Sequence, residues 1–199
     1  MNFWDKIAGL YDIAESFNGK VYCKMTETAA SLVPEGATVL DCAGGTGALS
    51  IAAAAKAKKV LCTDYSEKML FQAKKKAAKR KLSNISFEKR NIYFLKDSSE
   101  VYDVVIAGNV LHLLDDPQDA VKELYRVTKK GGKLLLPTFI TGDTKLLFIK
   151  LYKLLGFSPA NEYTEKEYIN MLKSCKCGSI SAKTIRGTVP CCFAVIEKQ

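Results

Sequence analysis

The stretch VLDCAGGTGALS, residues 39–50, decides how this chain folds. Val39 and Leu40 suit a buried strand, and the small residues from Ala48 to Ala57 suit a helix packed closely on a sheet. Between them, Gly44, Gly45 and Gly47 permit positive φ and put no side chain in the way of a ligand. The helix that follows would turn its first backbone N–H groups and the positive end of its dipole toward that ligand. Strand, glycine turn and helix, in this order, predict a cradle for a nucleotide-type ligand on an α/β sheet.

A carboxylate downstream strengthens that reading. In KVLCTDYS, residues 59–66, Val60, Leu61 and Cys62 read as a second strand with Asp64 at its carboxyl end. Asp64 follows the turn by about twenty residues, where a doubly wound fold places an acid against a ribose diol. Two ligand classes share such a site, dinucleotides and S-adenosylmethionine. The dinucleotide fingerprint Gly-x-Gly-x-x-Gly/Ala fits neither frame here: starting at Gly45 it ends on Ser50, and ending at Ala48 it starts on Ala43.

The run DCAGGTG, Asp41 to Gly47, closely resembles motif I of class I S-adenosylmethionine-dependent methyltransferases. Within them it is most similar to the ubiquinone/menaquinone-biosynthesis C-methyltransferase group, where an alanine also precedes the glycine pair. The resemblance covers nearly the whole chain. It implies an α/β, Rossmann-like, seven-stranded and mostly parallel sheet with helices on both faces and a C-terminal antiparallel hairpin. It also implies a single domain over residues 1–199, with residues 1–32 as a helical lid. The implied cofactor is S-adenosylmethionine, the product S-adenosylhomocysteine, and the reaction an in-line methyl transfer to a small-molecule acceptor. On the matching positions, Asp41 and the backbone of Ala43, Gly44, Gly45 and Gly47 would hold the methionyl part, and Asp64 with Tyr65 the ribose side. Met69 in SEKML and Asn91 with Ile92 would meet the adenine, and Gly108 would close the site beyond the fourth strand. The family commonly has Asp-Ala where this chain has Asn91 and Ile92, but an amide oxygen also accepts a hydrogen bond.

Composition narrows the functional classes. At 199 residues, 48% hydrophobic and 26% charged, the chain has ordinary globular composition and can bury a core without staples. Seven cysteines, an odd number scattered through apparent strands and helices, with no signal peptide in the sequence, lead us to expect a reducing cytoplasm. Cys175 and Cys177 lie at the opposite end of the expected hairpin from Cys191 and Cys192, so no shared metal site is expected. No apolar run approaches the ~20 residues that span a bilayer.

The net charge of +9 is nearly all lysine; Arg80, Arg90, Arg126 and Arg186 are the only arginines. Arginine is the usual tool for bidentate phosphate and base recognition, so nucleic acid is not the expected partner. The densest cluster, Lys74 to Lys76 with Lys79, Arg80 and Lys81, falls on one helix whose apolar residues are Met69, Leu70, Ala73 and Ala77. We read it as a solvated face.

The remaining elements follow in order. Residues 1–32 are amphipathic and helical in pattern. WDKIAGLYD there resembles a lid that folds over the cofactor, bringing Tyr11 toward the sulfonium, whereas NGKVYCKM departs from the basic-aromatic segment of the quinone group. Ser66 caps a helix to about Lys81, Ile85 to Arg90 alternates as a strand, and Tyr102 to Ala107 is a continuous apolar strand. Asp115, Asp116 and Pro117 start a helix through Val127, with Lys129 and Lys130 before Gly131-Gly132 read as its basic last turn and glycine stop. Asn109 and His112, beyond the fourth strand, are the candidates for orienting an acceptor and removing its proton. Residues 144–157 form an apolar helix that could serve as substrate lid, homodimer contact or membrane-surface helix; we read it as a lid. Thr164 to Glu167 has capping-box spacing, and Ser179–Arg186 with Cys191–Glu197 reads as a hairpin. Two other functions remain open, a catalytically silent cofactor-binding partner protein and a methyltransferase acting on RNA or protein.

Overall fold

The structure, a computed structural model, describes residues 18–141 and 160–199. Tyr11 and most of the expected N-terminal lid, together with the apolar helix 144–157, lie outside the described residues. Seven strands form one sheet: β1 Thr38–Cys42, β2 Lys59–Asp64, β3 Ile85–Lys89, β4 Tyr102–Ile106, β5 Thr128–Phe139, β6 Ser179–Ile185 and β7 Cys191–Glu197. Their order is β3-β2-β1-β4-β5-β7-β6. Pairs among β1 to β5 are parallel, and β7 runs antiparallel between β5 and β6. The order reverses between β1 and β4, and in open α/β sheets ligands bind beyond the carboxyl ends of the strands at such a switch point.

Five α-helices complete the described fold: α1 Gly19–Leu32, α2 Ala48–Ala53, α3 Glu67–Lys79, α4 Pro117–Val127 and α5 Glu165–Ser174. On one face of the sheet, α1 and α2 bury Val21, Met25 and Leu49 with Val39, Val104 and Leu135. On the other, α4 and α5 bury Val121, Leu124, Tyr168 and Leu172 with Leu40, Val105 and Leu136. Leu134, Leu135 and Leu136 are all fully buried, as consecutive residues of a strand covered on both faces must be. No helix among the described residues is long and apolar enough to cross a membrane.

Two local expectations are corrected. The alanine run ends as helix at Ala53 rather than Ala57, because the chain must turn back to feed β2: Gly36 N–H donates to Lys56 O and Lys58 N–H to Ala37 O. A run of alanines carries no stop signal, so packing sets the end. In α4 the helix stops at Val127 with Arg126 as its last basic residue. Lys129, Lys130, Gly131 and Gly132 already belong to β5, whose register against β4 shifts between Tyr102 and Val104. The other caps form as expected. The Ser66 hydroxyl accepts from Met69 N–H, and Thr164 and Glu167 exchange both capping-box bonds. The hairpin pairs Ile185 with Cys191 and Ser179 with Glu197, which leaves Cys177 and Cys191 at opposite ends. The seven cysteines are free thiols, and no group of potential metal ligands occurs among the described residues.

Candidate active site

The glycine turn sits at the carboxyl end of β1 and is tied to β2 on two sides. Gly44 N–H donates to Thr63 O at 2.8 Å, and Gly45 N–H donates to Asp64 Oδ2 at 2.9 Å. Gly47 N–H donates to Gly44 O, so these three amides are already used within the protein. The glycines let the turn pack closely on the elements beneath it. A Cβ on Gly44 would stand 2.8 Å from Cys62 Sγ and 2.9 Å from Asp41 Oδ2. Gly47, at φ +84, caps α2, and a Cβ there would stand 2.9 Å from Ala73 Cβ. With six residues, α2 is shorter than the dipole argument from sequence assumed.

A shallow cleft, open to solvent, runs along this turn. Ala43 to Thr46 and the start of α2 form one wall, Gly108 and Asn109 beyond β4 another, and Tyr22 and Met25 of α1 the third. Sequence reasoning missed Tyr22 and Met25 as site residues. They lie on an amphipathic helix, where a residue facing the core and one facing a cleft carry the same spacing.

Asp64 is fully oriented. Its Oδ1 accepts from Ser66 N–H at 2.8 Å while Oδ2 holds Gly45, so the N-cap of α3, the end of β2 and the turn form one unit. Asp41, expected to hold the methionyl part together with the turn backbone, is completely buried beneath Gly44. Its Oδ2 accepts from Ser50 Oγ at 2.5 Å, and its Oδ1 has no hydrogen-bond partner. Burial pushes its pKa up to about 7, against the opposing Ser50 bond and with a smaller push from the Asp64 charge.

Asn109 is brought to the cleft but its polar atoms are committed. At φ +54, it accepts at Oδ1 from Phe139 N–H at 3.1 Å and donates from Nδ2 to Met25 Sδ at 3.7 Å. It thus ties α1 to β5. His112 does not line the cleft. It is buried in a short 3₁₀ turn, Leu111–Leu113, with Nδ1 at 3.2 Å from Thr138 Oγ1, and burial lowers its pKa to about 4. Its expected role as a base for the acceptor thus falls on a buried, hydrogen-bonded ring.

On the other side of the turn, Tyr65 is 62% exposed with Lys89 Nζ 5.8 Å from its ring centroid. Met69 is buried inside α3 and does not reach the cleft. Asn91 is exposed after β3, its Oδ1 accepting from Tyr93 N–H, and Ile92 is buried. The loop that carries both is pinned. Arg90 pairs with Glu88 and Asp97, Tyr102 OH donates to Asp97, and Arg126 donates to the carbonyls of Leu95 and Asp97.

A switch-point cleft, a glycine turn packed closely at Gly44 and Gly47, and a strand-end carboxylate are the parts of a Rossmann-like nucleotide-type site. The chain belongs to the methyltransferase domain family, whose model matches residues 34–185. Among relatives, it is 34% identical over 163 residues to the ubiquinone/menaquinone biosynthesis C-methyltransferase UbiE of Blochmanniella floridana, covering 78% of this chain and 64% of that protein. It is 32% identical over 158 residues to the chloroplastic 2-methyl-6-phytyl-1,4-hydroquinone methyltransferase of Arabidopsis thaliana, covering 74% and 42%. The chain thus spans less than two thirds of the length of these curated relatives. A SAM-dependent methyltransferase from Aquifex aeolicus shares the fold with a TM-score of 0.72 at 20% identity, over 98% of both chains.

Proposed function

We propose that this protein transfers a methyl group from S-adenosylmethionine to a small aromatic acceptor of the hydroquinone kind. The observation that carries the cofactor reading is the Asp64–Gly45 joint, which fixes a carboxylate beside the glycine turn. When bound, S-adenosylmethionine supplies a methyl group already activated by its sulfonium. The protein's task is then alignment and exclusion of water.

Asp64 would hold the ribose diol, since both of its oxygens are oriented by backbone amides and a carboxylate accepts charge-assisted hydrogen bonds from hydroxyls. Ala43, Gly44, Gly45 and Gly47 would let the methionyl part lie against the backbone. Asp41 would act from beneath them: a cation above Gly44 offsets the cost of its buried charge. Asn91 and Ile92, on their pinned loop, would receive the adenine, with Tyr65 covering the ribose edge. Gly108 and Asn109 would bound the methyl-transfer end, where Tyr22 and Met25 present an aromatic ring and a thioether to the acceptor. The hydroquinone class is supported by what the relatives are named for, and the apolar surfaces of Tyr22 and Met25 are compatible with it. His112 is left with a packing role.

The test is to supply labelled cofactor with a lipid-soluble metabolite fraction, total RNA and a protein fraction. Label in aromatic small molecules of the first fraction supports the proposal. Label in RNA or protein alone overturns it.

A further inference from the structure

We propose that Lys76 is a positioning residue for the glycine turn; the inference rests on the reading of the cleft as the cofactor site. From sequence, Lys76 is one lysine in a run of three on a helix face. The structure separates it from its neighbours. Lys74 and Lys75 are exposed, whereas Lys76 is half-buried and its Nζ donates to Thr46 Oγ1 at 2.8 Å.

The choice of Thr46 has a physical reason. Of the four turn residues from Gly44 to Gly47, Thr46 alone has a side chain, so it is the only handle a neighbouring element can grip. It is 2% exposed and lines the cleft. One turn earlier on α3, Ala73 lies directly against Gly47, where even a Cβ would not fit. Helical spacing puts Ala73 and Lys76 on one stripe. The helix therefore meets two consecutive turn residues, by close packing at Gly47 and by a hydrogen bond from an ammonium group at Thr46.

The turn needs such support. Ala43, Gly45 and Gly47 all have positive φ, and glycine-rich backbone loses much conformational entropy when it is fixed. Asp64 fixes the Gly45 amide, and Lys76 fixes the residue after it. A lysine suits this position because its long stem reaches from the helix surface to the turn while its charge strengthens the bond to a neutral hydroxyl.

The experiment compares K76M, K76R and T46V with K74M as the exposed-lysine control. Amide hydrogen exchange over residues 43–50 is followed without ligand, and S-adenosylhomocysteine affinity is measured by calorimetry. The expected result is exchange several-fold faster in that segment for K76M and T46V, with the thermal midpoint and the rest of the sheet unchanged. Affinity should fall about tenfold in each, no further in the double variant, and recover in part in K76R, as one shared charge-assisted bond requires. K74M should behave as wild type. Wild-type exchange and affinity in K76M, or additive losses in the double variant, would overturn the proposal. T46V breaks the same bond from the other side, so the question stays answerable if K76M fails to fold. If wild type itself binds no S-adenosylhomocysteine, the cofactor reading fails, and the ligand-free exchange still decides the role of Lys76.

Discussion

Asp64 Oδ2 accepts the Gly45 amide hydrogen at 2.9 Å, which makes the end of β2 and the apex of the glycine turn one rigid piece. The carboxylate expected to hold a ribose therefore also shapes the backbone on which the rest of the ligand would lie. Its other oxygen holds Ser66 N–H at the start of α3. The residue proposed to hold the ribose is thus also a residue that holds three elements together.

Asp64→Ala should accordingly weaken S-adenosylhomocysteine binding by about 1.5–3 kcal/mol, the scale of charge-assisted hydrogen bonds lost to a ligand. Calorimetry gives the affinity and circular dichroism checks that the sheet survives. An unchanged dissociation constant would remove Asp64 from the site.

Asp41 and His112 should bend the stability profile in opposite directions. Asp41 has a folded pKa raised from 3.8 to about 7, so its stabilising share is full below 3.8 and lost as pH rises toward 7. His112 has a folded pKa lowered from 6.5 to about 4, so its share is full above 6.5 and lost as pH falls toward 4. Between pH 4 and 6.5 the two slopes oppose each other. Urea unfolding of Asp41→Asn across this range should show stability rising more steeply with pH than in wild type. A curve parallel to wild type would mean that Asp41 is charged throughout.

Asn109→Ala should cost about 1–3 kcal/mol of stability by leaving the Phe139 amide without its acceptor and keeping a Cβ at φ +54. Asn109→Gly loses the same bonds but relieves the backbone, and should be milder by about 1 kcal/mol. Equal costs for the two, measured by denaturant midpoints, would rule out strain at this position.

Lys74→Glu with Lys75→Glu should leave stability within about 0.5 kcal/mol and leave cofactor affinity unchanged, since both side chains are exposed. A loss that grows at low ionic strength would point to a polyanionic partner instead.

The parts of the fold legible in the sequence are those written in local chemistry. Glycine marks the turn because a Cβ would collide with Cys62 and Asp41 at Gly44 and with Ala73 at Gly47, where φ is also +84. Asp64, Ser66 and the Thr164–Glu167 box are short-range bonds between residues few positions apart. What escaped depends on long-range packing. Lys76 differs from Lys75 only in which way it faces, and its partner lies 30 residues away. Asn109 and His112 have the right chemistry for an acceptor site, but their polar atoms meet Met25, Phe139 and Thr138, which adjacent sequence does not announce. Tyr22 and Met25 line the cleft from a helix whose start is tied to the far end of the chain, Asn18 donating to Val189 O across 171 residues.

The most direct test of the account is a calorimetric titration of the protein with S-adenosylhomocysteine and, separately, with NAD. The account predicts a dissociation constant in the micromolar range for S-adenosylhomocysteine, about −8 kcal/mol, and no heat with NAD. Saturable binding of NAD with none of S-adenosylhomocysteine would contradict it.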